Sequence, residues 1–148
     1  SSAASDVYKR QALIGVISGY SWNAGANAGN PTIYGDGNQT RCFSFIQDVL
    51  NCLMTACLDD APLGNVINIG PDEEVVSINQ LANKICEITN YKGEPKYLPA
   101  RPQEVKHAIC SSNKARKLLD YGTKVNLEDG LDSMVKYIKK RGGFLKPG

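Results

Sequence analysis

Polar and apolar positions alternate most plainly between Arg41 and Ile46. Cys42, Ser44 and Ile46 fall on one side and Phe43 and Phe45 on the other, which predicts a strand. From Asp48 the period changes. Val49, Leu50, Leu53, Met54 and Cys57 form an apolar stripe at helical spacing, with Asp48 placed to cap the free amides of the first turn. That helix is expected to stop near Asp59-Asp60, ahead of Pro62-Leu63-Gly64. Val66, Ile67 and Ile69 in the run NVINIG predict a buried strand. Ser77, with Gln80 three residues on, reads as a capping box opening a helix in which Leu81, Ile85 and Ile88 recur. Lys96 to Leu98 is extended and ended by Pro99, and Val105 to Ile109 is another strand. Ser112 caps a short helix whose Ala115, Leu118 and Leu119 face inward. Asn126 and Asp129 frame the start of a last helix, Leu127 to Lys140. Its acids (Glu128, Asp129, Asp132) come early and its bases (Lys136, Lys139, Lys140, Arg141) late, complementing the helix dipole. Gly142-Gly143 end it.

The first thirty residues are less regular. Asp6 to Gln11 spells DVYKRQ, which resembles the translation of a transposase-type sequencing adapter, so residues 1–11 are set aside as a non-native tail. Residues 12–30 are poorly defined: Ala12 to Tyr20 is a short apolar stretch, and Ser21 to Pro31 is a Gly- and Asn-rich loop. Pro31 to Tyr34 is a short strand running into the turn Gly35-Asp36-Gly37, where glycine supplies the positive φ. The folded region is expected over residues 31–141, with a tail over 142–148. No internal repeat is present, and the pattern as a whole predicts a small mixed α/β unit with short strands and three or four helices.

Composition narrows the chemistry. The chain has 148 residues, a formal net charge of +2 and 42% hydrophobic residues. That charge is too small to argue for nucleic acid, and no apolar run approaches the roughly 18 residues of a membrane span. Five cysteines, an odd number without a C-x-x-C, argue against a disulfide framework or a zinc site. They are expected as reduced, mostly buried thiols of a cytoplasmic protein. His107, the single histidine, has no paired acid, so neither catalysis nor metal binding is expected there.

Three segments can carry chemistry. In PTIYGDGNQTRCFSFIQD (31–48), Tyr34 stands at the entrance of a glycine turn and Arg41 just after it, an aromatic face and a guanidinium suited to a base and a phosphate. Gln39 reads as a turn residue. In RPQEVKH (101–107), Arg101 is held extended by Pro102, and Glu104 can accept a hydrogen bond from a ribose hydroxyl. Asn68 is a polar side chain in an apolar strand. It either bonds neighbouring backbone or reaches a ligand.

In this order, PTIYGDGNQTR with FSFIQDV, then NIGPDEEVVSI, RPQEV and SSNKARKLLDY, the segments resemble the C-terminal part of the extended short-chain dehydrogenases/reductases. These are the NAD-dependent nucleotide-sugar epimerases, dehydratases and decarboxylases, with the UDP-glucose 4-epimerases nearest. The resemblance implies a small α/β substrate-binding portion without its Rossmann core, gripping a nucleoside-diphosphate sugar, most simply a UDP-sugar. It implies that Tyr34 packs on the base, Arg41 and Arg101 bind the diphosphate, Glu104 binds the ribose and Asn68 lines the nucleotide pocket. The parent enzyme would be a homodimer using NAD. UDP-glucuronate decarboxylation, dTDP-glucose 4,6-dehydration and a non-catalytic nucleotide-sugar module are the alternatives.

Two family features are missing from this sequence. No G-x-x-G-x-x-G opens a helix after a strand, and none of the seven tyrosines is followed four residues later by lysine. No catalytic residue and no NAD contact is therefore expected within this chain, and the chain alone is expected to be inactive. A portion separated from a larger core is also expected to expose apolar surface.

Overall fold

A computed structural model describes residues 32–140, with the backbone alone for Ile138 and Lys139. The expectations for the adapter-like tail, for Ala12 to Tyr20, for the Gly-rich loop to Pro31, and for Arg141 and Gly142-Gly143 lie outside the described residues. The elements run β1 Thr32–Tyr34, β2 Thr40–Arg41, α1 Ile46–Leu58, β3 Val76–Ser77, α2 Ile78–Thr89, β4 Lys96–Leu98, β5 His107–Ala108, α3 Asn113–Leu119 and α4 Leu127–Lys140. This is the small mixed α/β class that the sequence pattern predicts. The described residues divide into two compact units, one of residues 32–38, 78–104 and 131–140 and one of residues 39–77 and 105–130.

In the first unit β1 pairs in parallel with β4, Thr32 opposite Lys96, Ile33 opposite Tyr97 and Tyr34 opposite Leu98. The ladder runs one bond further, from the Gly35 amide to the Leu98 carbonyl at 2.9 Å. The chain then turns through Gly35 and Gly37, whose φ values of 76° and 72° only glycine adopts cheaply. Helix α2 buries Leu81, Ala82 and Ile85, as its period requires, and Ile33 is buried in the same unit.

In the second unit three two-residue segments make a sheet of order β3-β2-β5. Pairing is antiparallel between β2 and β3 and parallel between β2 and β5. The Oγ1 of Thr40 and the Nδ1 of His107 share a hydrogen bond of 2.9 Å across β2 and β5, so the one histidine fastens a strand pair. The core of this unit is Cys52, Ala115, Leu119 and Tyr121, with Ile67, Ile69 and Leu118 against it. At the start of α4, Asn126 accepts from the Asp129 amide at 2.9 Å and donates to the Asp129 carboxylate at 2.8 Å, the reciprocal cap that fixes Leu127 as the first helical residue.

Several expectations are corrected. The strand over Arg41 to Ile46 shortens to Thr40–Arg41, because Ile46 already opens α1. NVINIG forms no strand. Ile67 and Ile69 pack inward while Val66 and Asn68 are exposed, so the alternation is real, but none of the described strands pairs with it. Asp48 does not cap its own helix: it is buried, and its carboxylate accepts the amides of Lys124 and Val125 at 3.1 and 3.2 Å. Ser112 makes no side-chain cap on α3. Its hydroxyl donates instead to the Gly70 carbonyl. Gln39 lies outside helix and strand, between the glycine turn and β2, and is buried. Of the five free cysteines only Cys52 is buried and Cys57 is exposed, while burial pushes the Cys42 and Cys52 thiols up.

The stripe of α1 is present but uncovered. Of that helix only Asp48 and Cys52 are buried, whereas Leu50 is 47% exposed, Met54 60% and Leu58 77%. Burying the stripe needs a partner, and α3 meets the Cys52 side, where the thiol lies 3.9 Å from the Leu119 carbonyl. The chain is therefore expected to enhance the fluorescence of a hydrophobic dye. Leu50→Lys with Met54→Lys should lower that signal while moving stability by less than about 0.5 kcal/mol each, as exposed substitutions do. An unchanged dye signal in the double variant would place the binding elsewhere.

Candidate functional site

Tyr34 ends β1 and Arg101 follows β4 by three residues, so parallel pairing of the two strands brings them together. The Arg101 guanidinium lies 4.1 Å from the centroid of the Tyr34 ring, a cation–π pair. Tyr34 is half-buried and Arg101 is exposed. Glu104 closes the same segment, its amide reaching the Arg101 carbonyl at 3.4 Å through Gln103, which takes a left-handed φ of 61°. A flat aromatic face beside a cation is a combination that suits a base and a phosphate.

Arg41 and Asn68 belong to the second unit. The Arg41 Nη1 donates to the Thr40 carbonyl at 2.7 Å and to the Lys106 carbonyl at 3.4 Å, which anchors the guanidinium between β2 and the run into β5. Asn68 is an exposed side chain on the run 66–69. The structure thus brings Tyr34 and Arg101 together, with Glu104 three residues further along the same segment, while Arg41 and Asn68 belong to the other unit.

Sequence reasoning missed two polar assemblies. In the second unit Arg116 of α3 bonds both Asp72 and Glu73, and the Asp72 carboxylate also accepts the Ser112 amide at 2.9 Å. The Arg116 guanidinium holds the Asp72 carboxyl well below the usual carboxylate range, with the Ser112 amide as the next cause. A depressed folded-state pKa adds stability above the unfolded value, about 3.9, and loses it as pH falls further. The melting temperature is therefore expected to fall below about pH 4, and Arg116→Ala to flatten that dependence. An equally steep acid profile in the variant would remove this pair as its source. In the first unit Asn79 and Tyr97 bond to each other at 3.1 Å beneath the glycine turn. No short-range sequence signal marks either assembly.

Among the described residues no group of three or more His, Cys, Asp or Glu could hold a metal ion, and no helix is long and apolar enough to cross a membrane. The glycine turn after β1 does not have the form of a dinucleotide-binding turn. The turn Gly35-Asp36-Gly37 leads from β1 into β2, not into a helix, so it cannot aim helix N-terminal amides at a pyrophosphate.

A family model described as GDP-mannose 4,6 dehydratase matches residues 7–134. UDP-glucuronic acid decarboxylase 1 of Xenopus tropicalis is 31% identical over 109 residues, which is 74% of this chain and 25% of the relative. The solved structure of UDP-glucose 4-epimerase from Thermotoga maritima with UDP-glucose superposes with a TM-score of 0.74 at 28% identity, over 87% of this chain and 40% of that one. A variant of UDP-glucuronic acid 4-epimerase from Bacillus cereus, in complex with UDP-4-deoxy-4-fluoro-glucuronic acid and NAD, does so with 0.73 at 31% identity, over 85% and 39%. The chain spans between 25% and 35% of the length of the curated relatives it matches. The glycine turn between its aromatic and its arginine, the R-P-x-E segment after β4 and the match over most of its length have one reading: the chain belongs to the GDP-mannose 4,6-dehydratase family of extended short-chain dehydrogenases/reductases.

Proposed function

We propose that this chain is the part of an NAD-dependent nucleotide-sugar epimerase, of the UDP-glucose 4-epimerase kind, that grips the nucleoside diphosphate of a UDP-sugar. The observation that carries the reading is the Arg101 guanidinium over the Tyr34 ring at 4.1 Å. It sets an aromatic face for the uracil beside a cation for the diphosphate before any ligand arrives. In this reading Arg101 binds the diphosphate beside the Tyr34 ring with its planar fork, and Glu104 accepts from the ribose. A diphosphate contact for Arg41 and a place in the nucleotide pocket for Asn68 rest on the family resemblance.

The chemistry belongs to the remaining length of a family enzyme. When bound there, NAD would accept a hydride from the sugar ring and return it. This chain's residues bind and orient: affinity for the unreacting diphosphate holds the sugar in place for that step. The uncovered face of α1 supports a further polypeptide beside the second unit, and the NAD-binding portion is the natural candidate. The parent is expected to be a homodimer in the cytoplasm. Decarboxylation of UDP-glucuronate is the second reading, favoured by the relative from Xenopus tropicalis.

Calorimetric titration tests the reading. The chain should bind UDP more tightly than uridine, and it should not interconvert UDP-galactose and UDP-glucose with NAD added. Equal affinity for UDP and uridine would remove the diphosphate grip, and measurable turnover would overturn the division of labour.

A further inference from the structure

Asn79 is the second residue of α2, and it touches both the turn that follows β1 and, in β4, Tyr97. Its amide N–H donates to the Gly37 carbonyl at 3.0 Å. Its side-chain Nδ2 donates to the Asp36 carbonyl at 3.0 Å and reaches the Asn38 Oδ1 at 3.5 Å. Its Oδ1 accepts from the Tyr97 hydroxyl at 3.1 Å. Asp36 to Asn38 form the turn directly after Tyr34, and Tyr97 lies in β4, opposite Ile33 and four residues before Arg101. One carboxamide therefore ties the far end of the turn to the strand leading to the arginine.

The chemistry is specific to an amide. A donor is needed for the Asp36 carbonyl and an acceptor for the Tyr97 hydroxyl, from one side chain at one reach. Aspartate keeps the acceptor and sets its charge against the Asp36 carbonyl; alanine loses both. Gly37 completes the fit, since a Cβ there would lie 1.9 Å from the Asn79 Oδ1. At the start of the turn the Gly35–Leu98 bond continues the strand pairing, and the Ala100 Cβ lies 3.5 Å from the position a Gly35 Cβ would occupy. Asn79 supplies the tie at the far end of the turn.

We infer that Asn79 is a positioning residue for the nucleotide grip, holding Tyr34 and Arg101 at stacking distance by bonding the turn after one and the strand before the other. The inference rests on the proposal that this pair binds a nucleoside diphosphate, and its test separates the two.

The probes are UDP in calorimetric titration and the Arg101 Nε–H resonance in the ligand-free chain. That resonance is shifted by the ring current of Tyr34 only while the stack holds. Asn79→Ala and Asn79→Asp are expected to move it toward its unstacked position and to weaken UDP binding about five- to twentyfold. Tyr97→Phe removes one hydroxyl with little threat to folding. It should shift the resonance the same way, with a two- to fivefold loss. Circular dichroism at a temperature well below melting confirms that each variant compared is folded. If the Arg101 resonance and the UDP affinity stay at wild-type values in Tyr97→Phe and in the folded Asn79 variants, while Tyr34→Ala weakens UDP, Asn79 does no positioning and the grip stands. If Tyr34→Ala leaves UDP affinity unchanged, or the wild-type chain binds no UDP, the grip falls, and with it any positioning of a nucleotide site by Asn79. A moved Arg101 resonance would then show a tie within the turn alone.

Discussion

Arg101→Ala is expected to weaken UDP binding by about 1.5–3 kcal/mol, roughly ten- to 150-fold, and Arg41→Ala to do the same. Each guanidinium would give charge-assisted bonds to a diphosphate, and that class of bond has this scale. The two variants should differ in what else they disturb. Arg101 also covers a face of Tyr34, so its loss changes the setting of the ring, and uridine affinity should move as well. Arg41 instead bonds the Thr40 and Lys106 carbonyls, so its loss should leave uridine affinity unchanged while UDP affinity falls. Lysine at either position should not rescue, because a point charge cannot reproduce the planar fork. Calorimetry with UDP and uridine on both variants reads this directly. Unchanged UDP affinity in both would remove these arginines from the site.

Gly37→Ala should destabilise the chain by about 2–4 kcal/mol. A left-handed φ costs an L-residue about 1–2 kcal/mol. The new Cβ would also stand 1.9 Å from the Asn79 Oδ1, so the carboxamide must swing away and lose bonds worth about 0.5–1.5 kcal/mol each. Gly64→Ala is the matched control. Its φ is 71°, but nothing lies within 4 Å of the added carbon, so only the backbone cost of about 1–2 kcal/mol applies. Denaturant unfolding of the two variants measures the difference. Equal losses would mean that the contact with Asn79 carries no stability.

What the sequence made legible is what local chemistry decides. The start of α4 follows from a cap within one stretch of chain, and the turn after Tyr34 follows from two glycines. Three other features depend on partners that period cannot name. NVINIG shows which residues point inward, and Ile67 and Ile69 do, but alternation says nothing about whether a neighbouring strand exists. The stripe on α1 marks a face meant for burial without saying what buries it. Asn79 looks like an ordinary first-turn residue, since the carbonyl it serves lies 43 positions away. The tyrosine–arginine pair was legible only through motif resemblance. Its stacking comes from the parallel register of β1 and β4, which no sequence spacing reveals.

The shortness of β2 has a kinetic meaning. Two residues, paired on each side by only two partners, make a strand expected to open locally more often than the whole unit unfolds. Arg41 is one of those two residues. In the proposed grip it is competent only while β2 is paired, so the measured dissociation constant is the intrinsic one divided by the paired fraction. A ligand that binds only the paired form must in turn slow opening. Amide hydrogen exchange at Thr40 and Arg41 would then become a gauge of occupancy: fast in the bare chain, and slowed in proportion to the nucleotide bound.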